Sequence, residues 1–469
     1  MPELYKDYLK TLLSKKEKHN EGLAIDALPF LSKRTRAIRG RFNKVLGDYV
    51  RNICNLQLDT STLSDQVFYS SDHDHIFSHH IAEQVEFNNY DDQDDFKRFL
   101  NQYLFNNEDI KLIHPYLFNY IKVEGKNKNE FSKYAKFMTD TLVEEQGKLQ
   151  SIFSKKETED IITELVLSRL DILKSTKAKK RQYMPLLNPI ANLYQEDVLY
   201  LSKYKDYFLT AFPLITHYYV FMYACQLVVK FEQFTEANYE QLDPLYFSLE
   251  WESLSKRRKA AGELESFKFI KGKLVNLFPH IHTLSQLSHN RANTNEEEID
   301  QRKEIDLLTY SDLKRLVNDG ELDEGQFLND LEGWMEEYKE IFKVNRKIVA
   351  NNLEEHFKGL FDCLKEGTST DVSKKFGGNI EDLGVDQFIK SRGSLGQVFN
   401  IKHDFLLLLT AVSVKENRIP LNVLFSEFEK RGIRLDNNSK QEVVGLLDNL
   451  NILDKKSDSG DAQYVKPIL

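Results

Sequence analysis

Glycine and proline are scarce in this chain, 20 and 10 of 469 residues, against a combined average nearer ~12%. So few helix breakers exclude a collagen-like or loop-dominated chain and predict a helix-rich protein. Cysteine is scarcer still. Cys54, Cys225 and Cys363 are an odd number, far apart and without a CxxC pair. That pattern excludes a disulfide framework and a thiolate zinc site, and predicts a reduced, cytoplasmic protein. The opening residues Met1-Pro2-Glu3-Leu4-Tyr5 supply no apolar signal core, so secretion is not expected. Positive charge is in deficit too. At a net charge of -9 the chain cannot be coated with phosphate-binding cations, and any DNA contact must be local.

What remains is a globular composition: 41% hydrophobic and 29% charged residues, which excludes intrinsic disorder. The length predicts two to three domains at ~150 residues each. Charge is unevenly spread. Six of the twelve residues from Lys33 to Lys44 are basic (Lys33, Arg34, Arg36, Arg39, Arg41, Lys44), whereas residues 59–110 carry twelve acids and two bases, and residues 293–340 carry sixteen acids and five bases. Such acidic runs read first as solvated helix surface and second as docking sites for a basic partner. Phe208 to Val229 is 22 residues without a formal charge, long enough to span a bilayer. Its Pro213, His217, three tyrosines and Gln226, with flanking charges of both signs, favour a buried central helix over a membrane span.

Turn signals fall at 123–129, 174–182 and 288–298, and six glycines cluster in 366–396. The expected organisation is therefore a helical docking region over 1–365, divisible near 174–182, then a Gly-rich linker over 366–396, then a compact domain over 397–469. In that last domain Phe405, Leu408, Leu409 and Val412 fall at i, i+3, i+4 and i+7. Leu421, Leu424, Phe425 and Phe428 repeat the spacing, as do Val443, Leu446, Leu447 and Leu450. Pro420 opens the second helix, Gly432 closes it, and Ser439 to Glu442 reads as a capping box for the third. Strand-like segments, Leu450 to Lys456 and Ala462 to Leu469, flank a Ser-Asp-Ser-Gly-Asp turn. The predicted fold class is mainly α, with a large helical N-terminal region and a C-terminal winged helix-turn-helix. In such modules the third helix enters the major groove. Residues 400–469 carry ten bases and ten acids, so DNA binding and a protein-protein role both stay open.

Ser391-Arg392-Gly393-Ser394-Leu395-Gly396-Gln397-Val398, the apolar run Phe405 to Thr410 and the closing run Leu450 to Val465 resemble the C-terminus of the DptG (DndG) family over about the last 80 residues. The rest is compatible with that family in length and helical character. The resemblance implies a host-defence, antiviral subunit of DNA-phosphorothioation-dependent restriction. It would act with the F and H subunits (DptF, DptH) against double-stranded DNA that lacks the sulfur modification, and not at a membrane. It implies no particular catalytic residue and no cofactor.

Motifs of chemistry are few. Gly393 to Gly396 is not followed by the Lys-Ser/Thr of a phosphate loop, and neither an HExxH helix nor a GxSxG elbow occurs. Asp72-His73-Asp74-His75 with His79-His80 is the best metal candidate, since His75 and His79 can share a helix face, and its donors suit zinc, manganese or iron. The competing reading is a solvated acidic segment. His280, His282 and His289 form a weaker set, read as local packing. Glu124 and Lys126 form an ExK triplet with Asp109 upstream, the pattern of a metal-dependent nuclease strand. An acid-x-Lys triplet also occurs at Asp95/Lys97, Asp312/Lys314 and Asp454/Lys456, as chance would give.

The residues nominated for DNA contact are therefore basic or amide side chains: Arg34, Arg36, Arg39 and Arg41; Lys256, Arg257, Arg258 and Lys259; and Arg434, Asn437, Asn438, Lys440, Lys455 and Lys456, with Arg431 beside them. The leading expectation is a noncatalytic, DNA-engaging adaptor in a restriction complex. The alternatives are a metal-dependent nuclease subunit and a pure protein scaffold.

Overall fold

The structure is a computed structural model that describes residues 2–14, 19–59, 76–106, 109–122, 125–254, 266–455 and 463–469. It is mainly helical, with nineteen α-helices and only short strands among the described residues. The chain divides into two compact units that do not follow chain order. One comprises Met1–Gly40, Gln182–Ile190 and Tyr218–Leu469; the other comprises Arg41–Arg181 and Ala191–His217.

The smaller unit is organised around the helix Val45–Cys54, which buries Val45, Leu46, Tyr49, Val50 and Ile53. Gly47 lets the backbone of Ile121 approach: a Cβ there would stand 2.2 Å from the Ile121 carbonyl oxygen. Arg51, buried on the same helix, donates to the carbonyls of Asn119 (2.6 Å) and Ile121 (2.9 Å) and to the Asp48 carboxylate. These bonds satisfy carbonyls that a buried 3-10 turn, Pro115–Tyr120, would otherwise leave orphaned. A second cluster gathers Phe77, Ile81, Leu100, Leu104, Leu117, Tyr120, Val166 and Leu170. The acidic run of 90–98 lies on the helix Tyr90–Leu104, where Asn89 caps the first turn and Asp91 and Asp92 sit at the positive end of the helix dipole. Strands Leu56–Leu58 and Leu173–Ser175 pair antiparallel, joining the end of the Val45–Cys54 helix to the loop at 176–181.

In the larger unit the helix Leu277–Ser288 is buried on almost every face, and Trp334 of the helix Glu324–Phe342 donates its indole N–H to Gln286 at 2.9 Å. Much of the acidic block 293–340 is capping chemistry. Asn295 caps Glu296–Asp300, Thr309 and Asp312 form a capping box on Tyr310–Asn318, and Asp323 caps Glu324–Phe342. Asp330 is buried and takes the backbone N–H of Glu3 at 2.8 Å and the Lys6 ammonium at 3.1 Å.

The apolar run at 208–229 lies in the helix Lys205–Glu232, 83% of whose most apolar window is buried within the protein. Its tyrosines are satisfied internally: Tyr218 donates to the Arg431 carbonyl at 2.5 Å, and Tyr223 accepts the Leu186 N–H at 2.8 Å. It is the one helix among the described residues long and apolar enough to cross a membrane by composition.

The segment 366–396, expected as a linker, is ordered secondary structure. It contains the whole helix Thr370–Gly384, the strand Ile389–Ser391 and a 3-10 turn at Gly393–Leu395. Its glycines serve close packing. A Cβ on Gly377 would meet the Leu274 carbonyl oxygen at 2.1 Å, and one on Gly384 would meet the Phe221 ring at 2.4 Å. The C-terminal residues are likewise continuous with the larger unit. Leu245–Leu249 pairs in parallel with both Gln397–Ile401 and Ile433–Arg434, inside a four-stranded sheet whose far edge is Ile389–Ser391. A boundary at 365 or 396 would cut through these ladders.

Candidate nucleic-acid interface

The helices His403–Val414, Leu421–Lys430 and Asn437–Asn449 follow the predicted spacing, and Phe405, Leu408, Leu409, Val412, Leu424, Phe428, Val443 and Leu447 are buried. Leu453–Lys455 pairs antiparallel with Gln463–Val465, which pairs in turn with Ile419–Pro420. The third helix starts earlier than its expected capping box. Asp436 is the N-cap and accepts the Ser439 N–H at 2.9 Å. The Ser439 hydroxyl instead donates to the buried Glu252 carboxylate at 2.9 Å, and Glu252 also accepts the Leu249 N–H. A preceding aspartate with φ and ψ suited to capping outcompetes a serine three residues on.

This arrangement sorts the nominated residues. Asn437 and Asn438 are exposed on the first turn of the third helix, with Gln441 exposed one turn on. Lys440 is half-buried, its ammonium 5.2 Å from the centre of the Phe425 ring. Arg434 is half-buried between the Glu429 carboxylate, 3.6 Å away, and the Tyr246 ring. Arg431 cannot face DNA. Its side chain is 1% exposed and donates to the Glu427 carboxylate and carbonyl and to the Val412 carbonyl. Lys455 lies in the hairpin strand, and Lys456 lies outside the described residues.

Arg34 and Arg39, nominated for phosphate, are committed elsewhere. Both reach the fully buried Asp382 carboxylate, Arg34 through Nε (2.5 Å) and Nη2 (2.7 Å) and Arg39 through Nη2 (3.0 Å), and Arg34 also meets Glu381. Arg36 is exposed with φ +60°. Arg41, in the smaller unit, is exposed, with its guanidinium 5.8 Å from the Phe131 ring centre. Lys256 to Lys259 lie outside the described residues.

Of the metal candidates, Asp72 to His75 and Glu124 also lie outside the described residues. His79 and His80 have separate partners: His79 pairs with Glu83 at 3.2 Å and His80 with Asp171 at 2.7 Å. The His80 hydrogen bond holds the Asp171 carboxyl below its usual range. His280 is stacked on Phe361 and bonded to Tyr310. Burial alone would raise the Glu232 carboxyl, but hydrogen bonds from His280, Lys273 and Asn276 bring it down to about 2. Among the described residues, no three His, Cys, Asp or Glu side chains are grouped to hold a metal ion.

Compared with known proteins, the chain matches no family model and no curated sequence. The chemistry of its surfaces must therefore carry the functional reading. One such surface escaped the sequence reading. A groove of about 580 Å³ runs beside the third helix, lined by Trp251, His403, Gln441, Glu442, Gly445, Leu446 and Asn449. Trp251 is 41% exposed there, 6.0 Å from the His403 ring. The available signal was a lone tryptophan directly after a strand, but nothing local ties 251 to 441–449.

Proposed function

We propose that this chain is a noncatalytic, DNA-engaging adaptor subunit, working with DptF- and DptH-like partners in phosphorothioation-dependent restriction of unmodified DNA. The order helix, short strand, helix, strand, helix, hairpin at 403–465 supports reading this region as a winged helix-turn-helix, whose third helix reads the major groove from its N-terminal end. The observation that carries the proposal is the exposure of three carboxamides, Asn437, Asn438 and Gln441, at that end of the helix. Asn and Gln pair with the N6 and N7 edge of adenine, an interaction that needs little net positive charge. A near-neutral module can thus read bases while other parts of the assembly supply phosphate attraction.

Replacing Asn437 and Asn438 with Ala is expected to weaken binding to a selected duplex about tenfold, roughly 1.4 kcal/mol, while leaving binding to unrelated duplex unchanged. Equal affinity of wild type and variant for every sequence would refute base reading by this helix. A scaffold role is favoured specifically by the exposed Trp251 groove. On that reading Trp251→Ala abolishes copurification with the partner subunits and leaves DNA binding intact.

A further inference from the structure

The smaller unit contains a second polar surface of a different kind. At the C-terminal end of the helix Val45–Cys54 is a cleft of about 220 Å³. Asn52 and Asn55 line it from that helix end, Lys136, Thr139 and Asp140 from the helix Lys128–Leu142, and Lys177, Lys179 and Arg181 from the loop after the strand Leu173–Ser175. At ~30 Å³ per water, it has room for about seven waters, or a phosphodiester with part of its sugar.

The charges in this cleft are unevenly committed. Lys136 is neutralised by Asp140 at 2.6 Å. Lys179 is positioned by a neutral acceptor, the Asn52 side-chain oxygen at 3.0 Å. Lys177 and Arg181 are exposed and make no hydrogen bond or ion pair among the described residues. Four cations thus face one carboxylate. A helix C-terminus ordinarily repels anions, but here its carbonyls are occupied: the Asn55 N–H bonds the Arg51 and Asn52 carbonyls, Gln146 donates to Ile53, and the Thr176 N–H donates to Asn55. Asp48, which interacts electrostatically with Lys179, is held by Arg51 and Ser132. Apart from Asp140 and the aliphatic Val143 and Ala178, the lining is amides, hydroxyls and cations, and no aromatic ring is among them. Stacking of unpaired bases, the usual grip on single strands, has nothing to act on here.

We infer that this cleft is a sequence-independent binding site for the phosphate backbone of duplex DNA, with Lys177, Lys179 and Arg181 as its cations and Asn52, Asn55 and Thr139 as neutral donors. The inference rests on the proposed DNA-engaging role and assigns the phosphate contact to a surface other than the base-reading helix.

The test uses the full-length chain, short fluorescent duplexes of unrelated sequence and a salt series from about 50 to 200 mM. Each lost phosphate contact lowers the slope of log affinity against log salt by ~0.9, so Lys177→Ala with Arg181→Ala should reduce it by about 1.8, equally for every duplex. Both side chains are solvent-facing, and an unchanged melting temperature certifies the fold. An unchanged slope overturns the cleft. Tighter binding of single strands than of duplex, lost in the same variant, overturns the duplex assignment. The Asn437 and Asn438 variant is run alongside. Loss of sequence preference there with no effect at the cleft, or the reverse, separates failure of one reading from failure of the other. A wild-type chain that binds no duplex at the lowest salt overturns both.

Discussion

Acid should destabilise the larger unit steeply, because three histidines are folded in as neutral bases. His289 is the clearest case. Its Nδ1 donates to the Ser285 carbonyl at 2.7 Å, and its Nε2 accepts the Leu23 N–H at 3.1 Å, so a second proton has nowhere to go without breaking the Leu23 bond. Gly22, at φ +65°, permits this contact, since a Cβ there would lie 2.8 Å from Nε2. Burial pushes the His289 imidazole down to about 4, against the upward pull of the Ser285 bond. Burial likewise pushes His282 to about 3, and burial together with neighbouring His282 pushes His19 to about 3.

The sign follows from which state takes up protons. An unfolded histidine titrates near ~6.5 while the folded one stays neutral, so the stabilisation is complete above about pH 7 and is lost as pH falls through ~6.5 toward the folded value. For His289 the loss is about 2 kcal/mol at pH 5 and about 3.4 kcal/mol below pH 4. His19 and His282 add about 2 kcal/mol each at pH 5. The total of about 6 kcal/mol rivals the whole stability of an ordinary domain. Urea unfolding at about pH 7 and pH 5 measures it. His289→Gln supplies the control, since a carboxamide can accept from Leu23 and donate to Ser285 without titrating, and its stability should fall about 2 kcal/mol less between the two pH values. Identical pH dependence in wild type and variant, or a native His289 titrating near ~6.5 by NMR, would refute the reasoning.

Three further outcomes test the packing. Gly377→Ala, normally a gain of ~0.5–1 kcal/mol within a helix, should instead cost about 1–3 kcal/mol, because its methyl meets the Leu274 carbonyl; a raised melting temperature would contradict this. Asp382→Ala should cost about 3–5 kcal/mol by stranding Arg34 and Arg39, whereas Arg36→Ala should change stability by under ~0.5 kcal/mol, both read by chemical denaturation. Burial raises the Cys54 thiol to about 12 and the Cys363 thiol to about 11, and pushes Cys225 up as well. A thiol reagent at neutral pH should therefore label none of the three before unfolding, and rapid native labelling at Cys54 would show that side chain to be accessible.

Local chemistry was legible in the sequence wherever it decided the outcome locally. The apolar spacing of 405–412, 421–428 and 443–447 sets three helices because each presents one face to a core. The scarcity of glycine and proline points to the helical class because few positions interrupt a helix. Glycine then misled at 366–396, where Gly377 and Gly384 are selected by neighbours more than a hundred residues earlier, Leu274 and Phe221. No window around 377 contains that information. The capping residue of 437–449 failed more narrowly, since aspartate and serine both cap and the choice between Asp436 and Ser439 depends on Glu252, which holds the serine hydroxyl.

Counting charge along a sequence measures what the chain owns, whereas binding depends on what remains after the chain has paired with itself. The cationic window 33–44 gives up Arg34 and Arg39 to one carboxylate 348 and 343 residues away. The run Lys174 to Arg181 reads as a mere loop signal, yet while Lys174 is held by Asp59 there, Lys177 and Arg181 stay solvent-facing. A chain of net charge -9 can attract duplex only where such a remainder is concentrated, because counterion release scales with the number of phosphates neutralised at one place. Mutating Arg34 and Arg39 should therefore unfold more than it unbinds, while mutating Lys177 and Arg181 should unbind without unfolding. The ratio of the two effects, measured on the same duplex, separates a structural cation from a functional one.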